Sequence, residues 1–143
     1  MQIKQISVFL ENREGRLADV CELLGENNIN IRALTIAETE AFGVLRTVVD
    51  KPNEAVRLIT QKGFTANLTD VVAIEVDDRP GGLAAVLRSF VDADINVEYM
   101  YGFIEKSADK ALMVFRFDDP KKAIELLKSH DFVVVSNSDI QSL

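Results

Sequence analysis

The sequence predicts an α+β protein made of two β-α-β-β-α-β units in tandem, antiparallel sheets with helices on one face. Three observations predict it. First, the chain repeats itself. Glu14-Gly15-Arg16-Leu17 matches Pro80-Gly81-Gly82-Leu83, and Asn28-Ile29-Asn30-Ile31 matches Asp94-Ile95-Asn96-Val97, both 66 residues later. Second, Pro52 matches Pro120 and Phe64 matches Phe132 at a separation of 68. The second copy therefore carries two extra residues. The polar stretch from Glu105 to Lys110 is their natural place, because a hairpin loop absorbs insertions at little cost. Third, each copy switches between strand and helix periodicity at the same points.

The elements follow in order. Ile6, Val8 and Leu10 alternate with Ser7 and Phe9, which marks a strand. Leu17, Val20, Cys21 and Leu24 then take the i, i+3, i+4, i+7 spacing of an amphipathic helix starting near Gly15 or Arg16. Gly25 suits a left-handed closure of that helix. Ile29–Ile36 and Phe42–Val49 are β-rich runs joined by a short polar turn. Pro52 opens a second helix, where its missing N–H costs nothing. Ala55, Val56 and Ile59 form that helix's apolar stripe, Gly63 ends it, and Phe64–Leu68 is the last strand. The second copy repeats the series: strand Val71–Val76, a helix on Leu83, Val86, Leu87 and Phe90, a helix on Ala123, Ile124 and Leu127, and strand Phe132–Val135. Asp119-Pro120 is a better helix start than Lys51-Pro52, since Asp caps a helix and Lys does not. The expected domains are residues 1–70 and 71–143. This is the ferredoxin-like arrangement, twice.

Composition narrows the function. Hydrophobic residues make up 48% of the 143, too many for a disordered chain. No apolar run approaches the roughly 18 residues of a membrane span, so no membrane is expected as a partner. The start, Met1-Gln2-Ile3-Lys4-Gln5, lacks the apolar core of a signal peptide, and a cytoplasmic protein is expected. A net charge of −7 argues against nucleic acid as a main partner, because phosphate binding needs a basic patch. The single cysteine, Cys21, rules out an intrachain disulfide and a thiolate metal site, and its place on the helix stripe suits a small core residue.

The two β-to-α junctions carry the chemistry. The first turn of a helix exposes N–H groups without partners and the positive end of its dipole, which favours a carboxylate. Gly15 and Gly81 lack a Cβ and let a ligand approach the backbone. Asn12 and Asn30 both donate and accept hydrogen bonds, which suits a zwitterion. Arg13, Arg16 and Arg79 are either solvated or able to grip a carboxylate in two-pronged fashion. The plainer readings stand beside these. Gly15, Gly81 and Gly82 serve equally to shape a tight turn. Asn12 serves as a cap, Asn30 and Asn96 as local anchors of the second strand, and Leu17 and Leu83 as core. Tyr99, Met100, Tyr101 and Phe103 line either a pocket or a half-buried strand face, and His130 reads as a surface residue.

At Asn12-Arg13-Glu14-Gly15-Arg16-Leu17 and Asn28-Ile29-Asn30-Ile31 the first copy resembles an ACT domain, whose signature is Asn-Arg-Pro-Gly-x-Leu after the first strand. Glu14 stands in the proline position. The second copy has Asp78-Arg79-Pro80-Gly81-Gly82-Leu83, with Asp78 in place of Asn. The whole chain resembles stand-alone tandem ACT proteins. The resemblance implies a non-catalytic sensor of a free amino acid, with no cofactor and no metal. It also implies an amino-acid metabolic enzyme as partner, and exposed sheet edges favour a homodimer by strand addition or helix pairing. The ligand would lie in or near a domain interface, against Asn12 and Asn30 in the first copy and Asp78 and Asn96 in the second. Asp78 would repel a carboxylate, so the first-copy loop is favoured.

Three rivals share the topology. An acylphosphatase-like hydrolase would use Arg13 or Arg16 on phosphate, but its glycine-rich loop is absent, as is any Ser/His/Asp or Cys/His constellation. An RNA-recognition module needs aromatic strands in basic surroundings. A protein-interaction module acting on an enzyme in trans, without a ligand of its own, is the third.

Overall fold

The structure, a computed structural model, describes residues 2–105 and 109–143. The chain divides into two compact units, Lys4–Thr69 and Asp70–Gln141.

The N-terminal unit contains β1 (Ile3–Glu11), α1 (Arg16–Glu26), β2 (Ile31–Glu38), β3 (Phe42–Val49) and α2 (Pro52–Gln61), and it ends in the first residues of β4 (Thr65–Asp77). Strand β3 pairs antiparallel with both β1 and β2. Ile6, Val8 and Leu10 of β1 face the helices and bury against Val20, Leu23 and Leu24 of α1 and Ala55 and Ile59 of α2. Alternation in the strand and 3.6-residue spacing in the helices thus meet in one core.

The C-terminal unit repeats the pattern with the rest of β4, α3 (Gly82–Asp92), β5 (Val97–Gly102), β6 (Lys110–Phe117), α4 (Pro120–Ser129), β7 (Val134–Val135) and α5 (Asn137–Gln141). β6 pairs with β4 and β5, and β7 pairs with β4, all antiparallel. Phe90 sits edge-on to Phe115 and Phe117, with centroids 5.9 and 4.8 Å away, at the centre of this core. Met100 packs against the same core and Tyr101 is buried, so the strand-face reading of that stretch holds.

Four local expectations need correction. Gly25 lies inside α1, and the left-handed residue is Asn28, at φ 57°. Its counterpart is Asp94, at φ 58°, and both are residue types that tolerate this region. Ile29 donates its N–H to the Leu24 carbonyl, 2.9 Å, to close the helix, so β2 starts two residues later than expected. The expected strands Phe64–Leu68 and Val71–Val76 are one strand, β4, because Thr69-Asp70 contains no residue that breaks an extended chain. The last strand shrinks to Val134–Val135. Ser136 then caps α5: the Asp139 N–H donates to Ser136 Oγ, 3.2 Å, and the Ser136 N–H to Asp139 Oδ2, 3.4 Å. Asp119 caps α4 by accepting from the Lys122 N–H, 3.1 Å, whereas Lys51 gives α2 no side-chain cap. Lys106, Ser107 and Ala108 of the extra hairpin segment lie outside the described residues.

Candidate functional site

The two β-to-α junctions share one backbone plan. After β1 the Arg13 N–H donates to the Glu11 carbonyl, 2.9 Å, and after the matching part of β4 the Arg79 N–H donates to the Asp77 carbonyl, 3.0 Å. Each loop then reaches a glycine in the left-handed region, Gly15 at φ 86° and Gly81 at φ 85°, which precedes the helix. Neither helix receives a side-chain cap there, so the N–H groups of its first turn face the loop. Glycine is needed for the φ, not for space, because a Cβ on either residue would meet nothing within 4 Å.

The side chains then diverge. Asn12 ties its loop to the β2–β3 turn: its backbone N–H donates to Ala41 O, 2.9 Å, and its side-chain amide to Thr39 O and Glu40 O, 3.3 and 3.2 Å. Asp78 keeps the backbone bond, to Asp109 O at 3.2 Å, but has no side-chain N–H to give. Arg13 pairs with Glu11 at 3.3 Å and Arg79 with Asp77 at 3.1 Å. In the second copy Lys110 also pairs with Asp77, and that bond, followed by the one from Arg79, holds the Asp77 carboxyl below its usual range. Glu14 is exposed. Leu83 packs against the core, but Leu17 is 38% exposed, which corrects the core reading of that residue. Leu17 lies over the β2–β3 edge, where with Asn12, Arg13, Arg16, Ile36 and Glu38 it lines a cavity of about 200 Å³.

Asn30 and Asn96 occupy a different place. The register sets Ile31 opposite Val49 and Glu38 opposite Gly43, while Gly43 lies opposite Leu10. Asn30 therefore stands at the end of the sheet where β1 begins, about 23 Å along β2 from the loop that holds Asn12. Its backbone is clasped there: the Asn30 N–H donates to Asp50 Oδ1, 2.9 Å, and the Asp50 N–H returns to Asn30 O, 3.2 Å. Asn96 and Asp118 repeat this clasp at 3.1 and 3.2 Å. Both Asn residues are exposed. The fold thus gathers residues 12–17 into one site and residues 78–83 into another, and brings neither Asn30 nor Asn96 to its own unit's loop.

A larger cavity, about 440 Å³, lies on the other side of Arg16. Phe9, Phe42, Lys62 and Phe64 line it with Arg16, whose guanidinium carbon is 5.8 Å from the centre of the Phe64 ring. Sequence reasoning passed over Phe9, Phe42, Lys62 and Phe64. The available signal was Phe9, a large apolar residue in the polar phase of the β1 alternation. Among the described residues no cluster of His, Cys, Asp and Glu is arranged to hold a metal ion. No helix among them is long and apolar enough to cross a membrane.

A family model described as an ACT domain pair matches residues 1–143. The crystal structure of protein BT0572 from Bacteroides thetaiotaomicron superimposes with a TM-score of 0.93 at 40% identity, covering 100% of this chain and 98% of that one. The regulatory subunit of aspartate kinase from Thermus thermophilus, in a ligand-free form, is similar in fold, with a TM-score of 0.64, 15% identity and coverage of 90% and 92%. Its counterpart from Thermus flavus gives 0.61 at 15%, covering 88% and 90%. No curated protein matches the chain.

Proposed function

The chain belongs to the ACT domain pair family, and from that premise we propose that it is a non-catalytic regulatory protein that binds a free amino acid at the first junction. The ligand's carboxylate is held at the start of α1, by the N–H groups beyond Gly15 and by Arg16. One observation carries the reading. Both junctions have an uncapped helix start, a left-handed glycine and a cavity, about 200 Å³ at the first and 400 Å³ at the second, and the first adds a pinned Asn12 where the second sets the Asp78 carboxylate. Glu11, paired with Arg13 at 3.3 Å, and Glu38 also line the first cavity, so Arg16 and the N–H groups of α1 are what favour a carboxylate there, whereas Asp77 and Asp78 both line the second.

Asn30 joins this site only in an assembly. A ligand of amino-acid size does not span the length of a sheet, so contact with both Asn12 and Asn30 requires a second copy of the chain. A homodimer that closes on the ligand follows, and with it a regulatory device. A ligand touching two copies favours the arrangement in which both contacts are made. The likeness in fold to the regulatory subunit of aspartate kinase makes an enzyme of amino-acid metabolism the natural recipient.

A thermal-shift screen against the twenty amino acids, followed by calorimetry, tests this. A ligand at 100 times its dissociation constant stabilises the protein by about 2.7 kcal/mol, well within detection. One amino acid that shifts the melting temperature, and loses its effect in Gly15→Val, supports the reading. Silence from all twenty at millimolar concentration overturns it and leaves a module that contacts its enzyme without a ligand.

A further inference from the structure

The 440 Å³ cavity beside Arg16 shares Leu10, Glu11 and Arg16 with the loop cavity but adds Phe9, Phe42, Lys62 and Phe64, which the loop cavity lacks. We infer that it is a binding site for a carboxylate carrying an aromatic or bulky apolar body, with the carboxylate between Arg16 and Lys62 and the body against Phe9 and Phe42.

The size points to a small molecule, since pockets for such ligands run from about 300 to 1,000 Å³. The charge points to an anion. Arg16 and Lys62 line the cavity with one carboxylate, Glu11, which Arg13 pairs at 3.3 Å; Arg16 also lies 3.8 Å from Asp19, and among the described residues no carboxylate pairs with Lys62. The apolar walls point to the body. Phe42 is 61% and Phe9 48% exposed, and their rings extend the surface that begins at Phe64. Large apolar side chains left in water beside cations match an amphipathic anion better than a purely polar one.

The second copy is an internal control. It keeps the fold, and it keeps Phe132 where the first has Phe64. At the four other positions it replaces Phe9 by Glu75, Arg16 by Gly82, Phe42 by Lys110 and Lys62 by His130. The register confirms the match of the third pair: Phe42 lies opposite Glu11, as Lys110 lies opposite Asp77. The fold therefore does not require these four side chains, and the first copy has them for another reason.

Calorimetry of the full chain with 3-phenylpropanoate, phenylalanine and acetate tests the inference. The two phenyl compounds are expected to bind at least tenfold more tightly than acetate. Lys62→Gln and Phe42→Lys touch this cavity and not the loop cavity. Each is expected to weaken phenyl-compound binding at least tenfold, with an unchanged melting temperature as the check on folding. Equal affinity for acetate, no binding of either phenyl compound, or full affinity in both variants overturns the inference. Binding that survives both variants but is lost in Asn12→Asp puts the ligand at the loop, which overturns this site and leaves the proposed function standing. Binding lost in Lys62→Gln and Phe42→Lys but kept in Asn12→Asp supports this site and leaves the proposed function to its own amino-acid screen.

Discussion

A Cβ on Gly82 would sit 2.0 Å from the carbonyl oxygen of Asp77, yet at the matching place in the first copy Arg16 carries a full side chain. Strand and helix approach so closely in the second copy that the helix admits no side chain at its first residue. In the first copy the same junction is open, and Arg16 stands between two cavities.

Gly82→Ala should therefore destabilise the protein by about 2 kcal/mol, within the range for forcing extra atoms into a packed site. Arg16→Ala should change stability by less than about 1 kcal/mol, because that side chain borders solvent. Urea unfolding of the two variants checks the contrast.

Asn12 donates to two carbonyls of the β2–β3 turn, and Asp has no donor to offer them. Asn12→Asp, which copies the second junction, should cost about 1 kcal/mol. It should also speed amide exchange around Thr39 and Phe42, since the Thr39 N–H bond to Phe42 O, 2.7 Å, belongs to the same turn. Hydrogen exchange read by NMR measures this directly.

Asp119 caps α4 through the Lys122 N–H, and α2 has no such cap. Asp119→Ala should lower stability by about 1 kcal/mol, and Lys51→Asp should raise it by less, because the cap it adds is offset by loss of the Lys51 Nζ bond to Asn28 O, 2.9 Å. The pair of melting temperatures, one down and one up, is the expected result.

The Asp77 carboxyl sits below its usual range because Lys110 and Arg79 donate to it, and Lys110 is raised by the same bond. A lowered folded-state value means the stabilisation is present above the unfolded carboxylate's value and fades as the pH falls from about 4 downward, through the folded value. On the alkaline side Lys110's share is present below the unfolded lysine value and lost as the pH rises through its raised one. Asp77→Asn should flatten the acid side of a plot of urea midpoint against pH and leave the region near pH 6 to 8 level.

Much of this was legible in the sequence, for physical reasons. Alternation in β1 and helical spacing in α1 and α3 identify the core because burial imposes those periods. Phe42–Val49 matches β3 residue for residue, bounded by a polar turn on one side and Asp50 on the other. The Gly15 and Gly81 junctions were legible because only glycine takes that φ cheaply. What was hidden depends on distance in space. Asn30 and Asn12 look like partners in a motif, and only the strand register shows them at opposite ends of a sheet. Leu17 fits the helix stripe by spacing, but it lies in the first turn, beyond the edge of the core. The aromatic cavity joins residues 9, 42 and 62 from three separate elements, which no local pattern connects.

The proposed site puts an amino acid's carboxylate at the start of α1. The most direct measurement is an NMR titration of the 15N-labelled protein with the amino acid that gives the largest thermal shift. The backbone amides of Gly15, Arg16 and Leu17 and the side-chain amide of Asn12 should move together and saturate at one dissociation constant. Movement confined to Gly81, Gly82 and Leu83, or no movement in either loop with any amino acid, would rule out that placement.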